Sequence, residues 1–205
     1  MADYLESPKL IPGETMTEEA LLEATKKKLG DLKKNIIVGL SSIPLKTELK
    51  LLPEDVEKLF KNIKKGDVIL VGNLDESSAL FINDGSNLTH AMIYVGDGKL
   101  VHATKNGINE ESLADIISHY ETYALLRPEI GQEKAIQFAL SSIGNSYDFS
   151  FDNKSSDSMY CTELVARSYG VELGENILKP SEFLKSFPEV ARSKNLETTN
   201  LANMK

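Results

Sequence analysis

The sequence predicts an α+β fold, with strands grouped around one hairpin, a helix that begins at Cys161 and a helical segment added at the N-terminus. Three stretches carry that expectation. The first is a hairpin signal, Leu88–Val95 and Lys99–Thr104 around Gly96-Asp97-Gly98, with glycines where a tight turn needs left-handed backbone. The second is the β-branched run Val68-Ile69-Leu70-Val71, short enough to be a buried strand. The third is Tyr160–Gly170, where Leu164, Val165 and Ala166 lean to one helical face and Gly170 supplies a stop.

Taken in order, Thr15 to Leu40 reads as a long amphipathic helix: Thr15 and Glu18 match a capping box, and Leu22, Leu29, Leu32 and Ile36 recur at helical spacing. Its apolar face suits packing on the domain's flank, and its lysines also suit a membrane surface. Pro53 then opens a short helix through Phe60, which Lys64-Lys65-Gly66-Asp67 ends. The sheet begins at Asp67 to Gly72. After the hairpin, Ser112 to Ser118 reads as a short helix, Thr122 to Arg127 as a strand, Gln132 to Ile143 as a helix closed by Gly144, and Lys179 to Leu184 as a brief late helix. This divides the chain into an N-terminal helical extension (1–64), a central domain (65–190) and a polar tail (191–205).

Composition narrows the function classes. The chain has 205 residues, 41% hydrophobic and 26% charged, as expected of one globular domain with a substantial core. A net charge of -8 opposes phosphate-neutralising nucleic-acid binding. One cysteine excludes an internal disulfide and any CxxC metal or redox site. The N-terminus lacks the basic and apolar regions of a secretory signal, and no apolar run is long enough to span a bilayer, which predicts a cytoplasmic protein with no integral membrane segment. Nothing in the sequence sets an oligomeric state.

The candidate chemistry centres on that cysteine. At a helix N-terminus the backbone N–H groups and macrodipole favour a thiolate and predict a lowered Cys161 pKa. A lone cysteine also suits a core as a small apolar side chain, so partners matter. Two of the three histidines, His90 and His102, lie on opposite strands of the hairpin. A loop of two residues, Asp97-Gly98, would set His102 opposite Ile93 and turn the imidazoles to opposite faces. A loop of three, Gly96-Asp97-Gly98, pairs His102 with Met92 and leaves it diagonal to His90 on one face. The three-residue form is expected, since either glycine can take the left-handed position. Cys161, His90 and His102 then fit nucleophile, base and orienting group, with the Cys161 N–H stabilising an oxyanion. His119 has no such partner and reads as structural, as does Glu163 near the helix start. Tyr147-Asp148 and Tyr160 could line a cleft.

An ordered set of motifs, Gly66-Asp67-Val68-Ile69-Leu70, Thr89-His90-Ala91-Met92-Ile93-Tyr94, Leu100-Val101-His102-Ala103, Ser146-Tyr147-Asp148-Phe149 and Tyr160-Cys161-Thr162-Glu163-Leu164-Val165, resembles the permuted papain-like amidases of the YiiX type. These are relatives of the NlpC-type cell-wall endopeptidases and of lecithin:retinol acyltransferase. In that group the histidine strand precedes the cysteine helix, as here. The resemblance implies a permuted papain-like fold over roughly Lys65 to Phe187, in which an antiparallel sheet bearing the histidine pair packs against the helix that begins at Cys161, with the nucleophile on Cys161, the base on His90 and the third polar group on His102. At the third position YiiX-like members tend to carry a carboxylate, and a histidine is closer to the acyltransferase and NlpC-type branches. The expected function is therefore a cysteine-dependent hydrolase that cleaves an amide of a small peptide or peptidoglycan-derived fragment through a thioester, with no metal or organic cofactor. Lipid or N-acyl transfer or hydrolysis, or an inactive binding module on the same fold, are the alternatives.

Overall fold

The computed structural model describes residues 51–73 and 86–197. The helix expected over Thr15–Leu40, most of the polar connection after Asn73 and the tail beyond Glu197 lie outside the described residues. Helix α1 (Pro53–Asn62) starts with proline at its first turn, beside Glu54 and Asp55, and carries Lys61 in its last. Those charges oppose the ends of the helix dipole, while Val56 and Leu59 are buried.

Six antiparallel strands form one sheet in the order β4-β3-β2-β1-β5-β6. Strand β1 (Val68–Gly72) lies between β2 (His90–Gly96) and β5 (Thr122–Leu126). Both of its faces are covered, which is why its sequence is an unbroken apolar run rather than an alternating one. One face of the sheet, with Val68, Leu70, Ala91, Ile93, Val101 and Ala124, packs against the later helices through Ala139, Leu164, Val165 and Ala166. The opposite face, with Ile69, Val71, Met92, Tyr94 and Leu100, packs against α1 and against α2 (Leu113–Ile117). Both predicted helices are present, α2 with Ser112 as its N-cap, and so is α3 (Gln132–Ser141).

The hairpin combines features of the two loop lengths weighed from sequence. β2 and β3 (Lys99–Thr104) pair at Gly96 with Lys99 across the two residues Asp97 and Gly98, both at positive φ (51° and 72°). A register shift between Tyr94 and Gly96 then makes Val95 an extra residue, so that Tyr94 faces Leu100 and Ile93 faces Val101. The turn is thus shorter than expected, and the bulge restores the register of the longer one.

Two edge strands lack a sequence signal. β4 (Gly107–Ser112) is mostly polar because it borders only β3, and β6 (Glu189–Arg192) likewise borders only β5. Between them and the core, the chain past residue 190 is built into the domain: Ala191 pairs with Leu125, and Leu196 in the short helix Lys194–Glu197 is fully buried.

At one end of the sheet the turn before β1 is tied to the end of β5. Arg127 donates from Nε to Asp67 Oδ1 (2.8 Å) and from its terminal nitrogen to Asp67 Oδ2 (2.7 Å) and Asn62 O (2.6 Å). Asp67 also accepts the Lys64 N–H at 2.8 Å and is 1% exposed. Removing one partner of such a pair strands the other away from water. Asp67→Asn is expected to lower stability by about 2–3 kcal/mol, measured as a shift in the urea midpoint at unchanged m-value.

Candidate active site

Cys161 is the first residue of helix α4 (Cys161–Tyr169). The helix caps itself, with Glu163 Oε2 accepting the Tyr160 N–H at 3.3 Å. Glu163 is fully buried and its other oxygen lies 2.6 Å from the Arg167 guanidinium one turn on. Thr162 donates its hydroxyl to Leu178 O at 2.6 Å, which fixes the first turn laterally. Three fully buried side chains, Leu164, Val165 and Ala166, hold the helix on the sheet, and a buried Leu or Val contributes about 1.5–3 kcal/mol. Gly170, at φ 66°, ends it in the left-handed conformation that glycine adopts without strain.

The β2–β3 ladder runs from Gly96/Lys99 to Ile93/Val101 and stops short of the histidines. Beyond that point the backbone N–H of Ala91 is met by the Cys161 thiol, which also lies against the N–H groups of Thr162 and of Cys161 itself. The sulfur therefore sits one residue along β2 from His90. It is only 2% exposed. Burial pushes the thiol up to about 11, and the three N–H groups offset only part of this shift. This reverses the lowered pKa expected from helix position alone: desolvation outweighs the dipole.

His90 Nε2 and His102 Nδ1 are 3.0 Å apart, with the ring planes crossing at 68°. Both belong to the sheet face of Met92, Tyr94 and Leu100, and the His90 ring stacks on Tyr120 with centroids 6.3 Å apart. Burial and then the neighbouring His102 lower His90 to about 3. His102 is also lowered by burial, opposed by Glu111 of β4, whose Oε1 lies 3.2 Å from His102 Nε2. Glu111 and Tyr120 were not singled out from sequence. Recognising β4 as a strand would have revealed Glu111, because pairing Leu100 with Glu111 and His102 with Asn109 sets the carboxylate diagonal to the imidazole. His119 is exposed and takes no part.

The segment between α3 and α4 walls the thiol. Asp148, 5% exposed, accepts the N–H groups of Ser150 (2.8 Å), Phe151 (3.1 Å) and Asp152 (3.1 Å), winding the loop around its carboxylate. Phe151 and Asn153 take positive φ there, a conformation that non-glycine residues hold only where surroundings enforce it. Arg167 supplies part of that enforcement by donating to Asn153 O at 3.0 Å. Tyr147 projects toward the site: burial, then the Cys161 thiol, raise its phenol. It packs edge-on against Phe149, which is 68% exposed, and near Phe151, which in turn packs on Tyr160. Among the described residues no cluster of three or more His, Cys, Asp or Glu side chains could hold a metal ion.

Two pH dependences follow. Iodoacetamide labelling of Cys161, followed by mass spectrometry, should keep accelerating above pH 9, as the thiolate population grows toward a pKa of about 11. His90 binds a proton below about 6.5 in the unfolded chain but only near 3 when folded, so its contribution to stability is complete above 6.5 and is lost as pH falls toward 3. Thermal melts should therefore show a smaller drop in Tm between pH 7 and pH 4 for His90→Asn than for the unaltered protein.

With this geometry in hand, comparison with known proteins gives one match. Neither the curated proteins nor the solved structures include one that matches the chain. The family model described as permuted papain-like amidase enzyme, YaeF/YiiX, C92 family, matches residues 62–203. That span takes in the entire described sheet, the histidine hairpin and the cysteine helix. The chain belongs to the permuted papain-like amidase family.

Proposed function

We propose that the protein is a cysteine-dependent amidase or peptidase in which Cys161 is the nucleophile, His90 the general base and acid, and His102 the group that orients His90. The observation that carries this reading is the 3.0 Å contact between two half-buried or buried imidazoles, one residue along the strand from a buried thiol at a helix start. A core histidine is ordinarily satisfied by backbone or water, whereas here each ring's partner is another titratable side chain.

At rest the pair is thiol and neutral imidazole, because burial disfavours both charged forms. Binding of a carbonyl carbon beside Sγ starts the reaction. The Cys161 proton passes to His90 as the S–C bond forms, and the negative oxygen is received at the start of α4, where backbone N–H groups converge. The C–N bond then breaks, the His90 imidazolium protonates the departing amine, and a thioester remains. Water attacks it, gives its proton to His90, and leaves a carboxylate and the restored thiol. The substrate amide belongs to a small peptide or a peptidoglycan-derived fragment. A second reading, transfer or hydrolysis of a lipid or N-acyl group, is favoured by one observation: Tyr147, Phe149 and Phe151 present aromatic surface near the thiol.

Cys161→Ala is expected to abolish turnover. His90→Ala should lower kcat/KM by about 10²–10⁴-fold, the usual contribution of a positioned base, and His102→Ala by less. The check is a panel of peptide amides, cell-wall peptide fragments and N-acyl amines assayed with all four proteins. Intact-mass spectrometry of the quenched reaction should show an acyl adduct on Cys161, removable by hydroxylamine. Turnover retained in Cys161→Ala would refute the mechanism.

A further inference from the structure

A carboxylate at the far end of the histidine pair biases where its protons sit. Glu111 stands on edge strand β4 with its carboxylate 3.2 Å from His102 Nε2, close enough for its charge to act on that nitrogen although the two are not aligned as a hydrogen bond. An ionised carboxylate only accepts, so the single N–H of a neutral His102 is drawn to Nε2. Its Nδ1 then carries a lone pair, and that nitrogen is the one 3.0 Å from His90 Nε2. Two lone pairs cannot face each other across 3.0 Å, so His90 must hold its proton on Nε2, leaving Nδ1 unprotonated.

We propose that Glu111 is a positioning residue that acts through His102 to hold His90 in the tautomer whose Nδ1 is free to take a proton from Cys161. This deepens the functional reading above and rests on it. Without Glu111, the His102 proton can move to Nδ1 and be donated to His90 Nε2. The His90 proton then resides on Nδ1, so its lone pair points to His102.

Glu111 is suited to a test because its side chain is 41% exposed on an edge strand. The full-length protein and the variants Glu111→Ala, Glu111→Gln, Glu111→Asp and His90→Ala would be compared by imidazole ¹⁵N shifts at pH 7 and by the second-order rate of iodoacetamide reaction with Cys161 from pH 5 to 10. The unaltered protein should show His90 protonated at Nε2 only. Glu111→Ala should add the Nδ1-protonated form of His90 and slow alkylation near neutrality about tenfold or more, with Glu111→Asp recovering part of the rate. Glu111→Gln, which can donate as well as accept, should shift the tautomer without altering the fold. If Glu111→Ala leaves both imidazole spectra and the alkylation profile unchanged while His90→Ala slows it, the role of Glu111 is overturned and the cysteine–histidine reading stands. If His90→Ala itself has no effect on alkylation, the functional reading fails, and the relay with it.

Discussion

One extra residue in one strand decides whether this molecule has a histidine pair at all. The two-residue turn at Asp97 and Gly98 would by itself place His102 opposite Ile93, on the other side of the sheet from His90. The bulge at Val95 adds one residue to β2, and every side chain beyond it changes partner. The imidazoles then meet on one face at 3.0 Å. The ladder's early end at Ile93/Val101 is the complementary feature: it leaves the N–H of Ala91 for the sulfur of Cys161. The start of the cysteine helix on one face and the histidine pair on the other thus both lie beside the place where the two strands cease to pair.

The electrostatics are those of a closed site. A thiol 2% exposed and an imidazole lowered to about 3 stay neutral together, because an ion pair needs solvation or donors that the surroundings supply only in part. The donors that are present, three backbone N–H groups at the sulfur, are fixed in position before any substrate arrives. The aromatic loop beside them is held in left-handed backbone at Phe151 and Asn153 by hydrogen bonds to Asp148 and from Arg167.

How far the sequence revealed this follows from burial. Elements covered on one or both faces announce themselves by period: β1 by its continuous apolar run, the hairpin by its turn residues, α4 by Leu164, Val165 and Ala166. The central motifs were therefore readable, and with them the candidate residues Cys161, His90 and His102. The edge strands β4 and β6 were not, because a strand bordering one neighbour carries polar side chains and resembles a loop. Glu111 was hidden with β4. The role of Glu163 was hidden for a different reason: near a helix start a carboxylate reads as structural, and only the fold shows it reaching back to the Tyr160 N–H. The sign of the thiol's shift was beyond local sequence, since it depends on how completely other segments bury the sulfur.

The Asp67–Arg127 pair has a consequence for how the chain acquires its activity. It joins the first strand to the end of β5, roughly sixty residues later, after the histidine hairpin has closed on itself by local contacts. Contacts of short sequence separation form early and distant ones late, and synthesis delivers the N-terminal elements first. The histidine hairpin is therefore in place while Cys161, some seventy residues downstream of His90, is still to be made. In this order of segments the growing chain carries no thiol until nearly all of the sheet that will enclose it exists, so Cys161 meets a scaffold already assembled rather than having to wait for one.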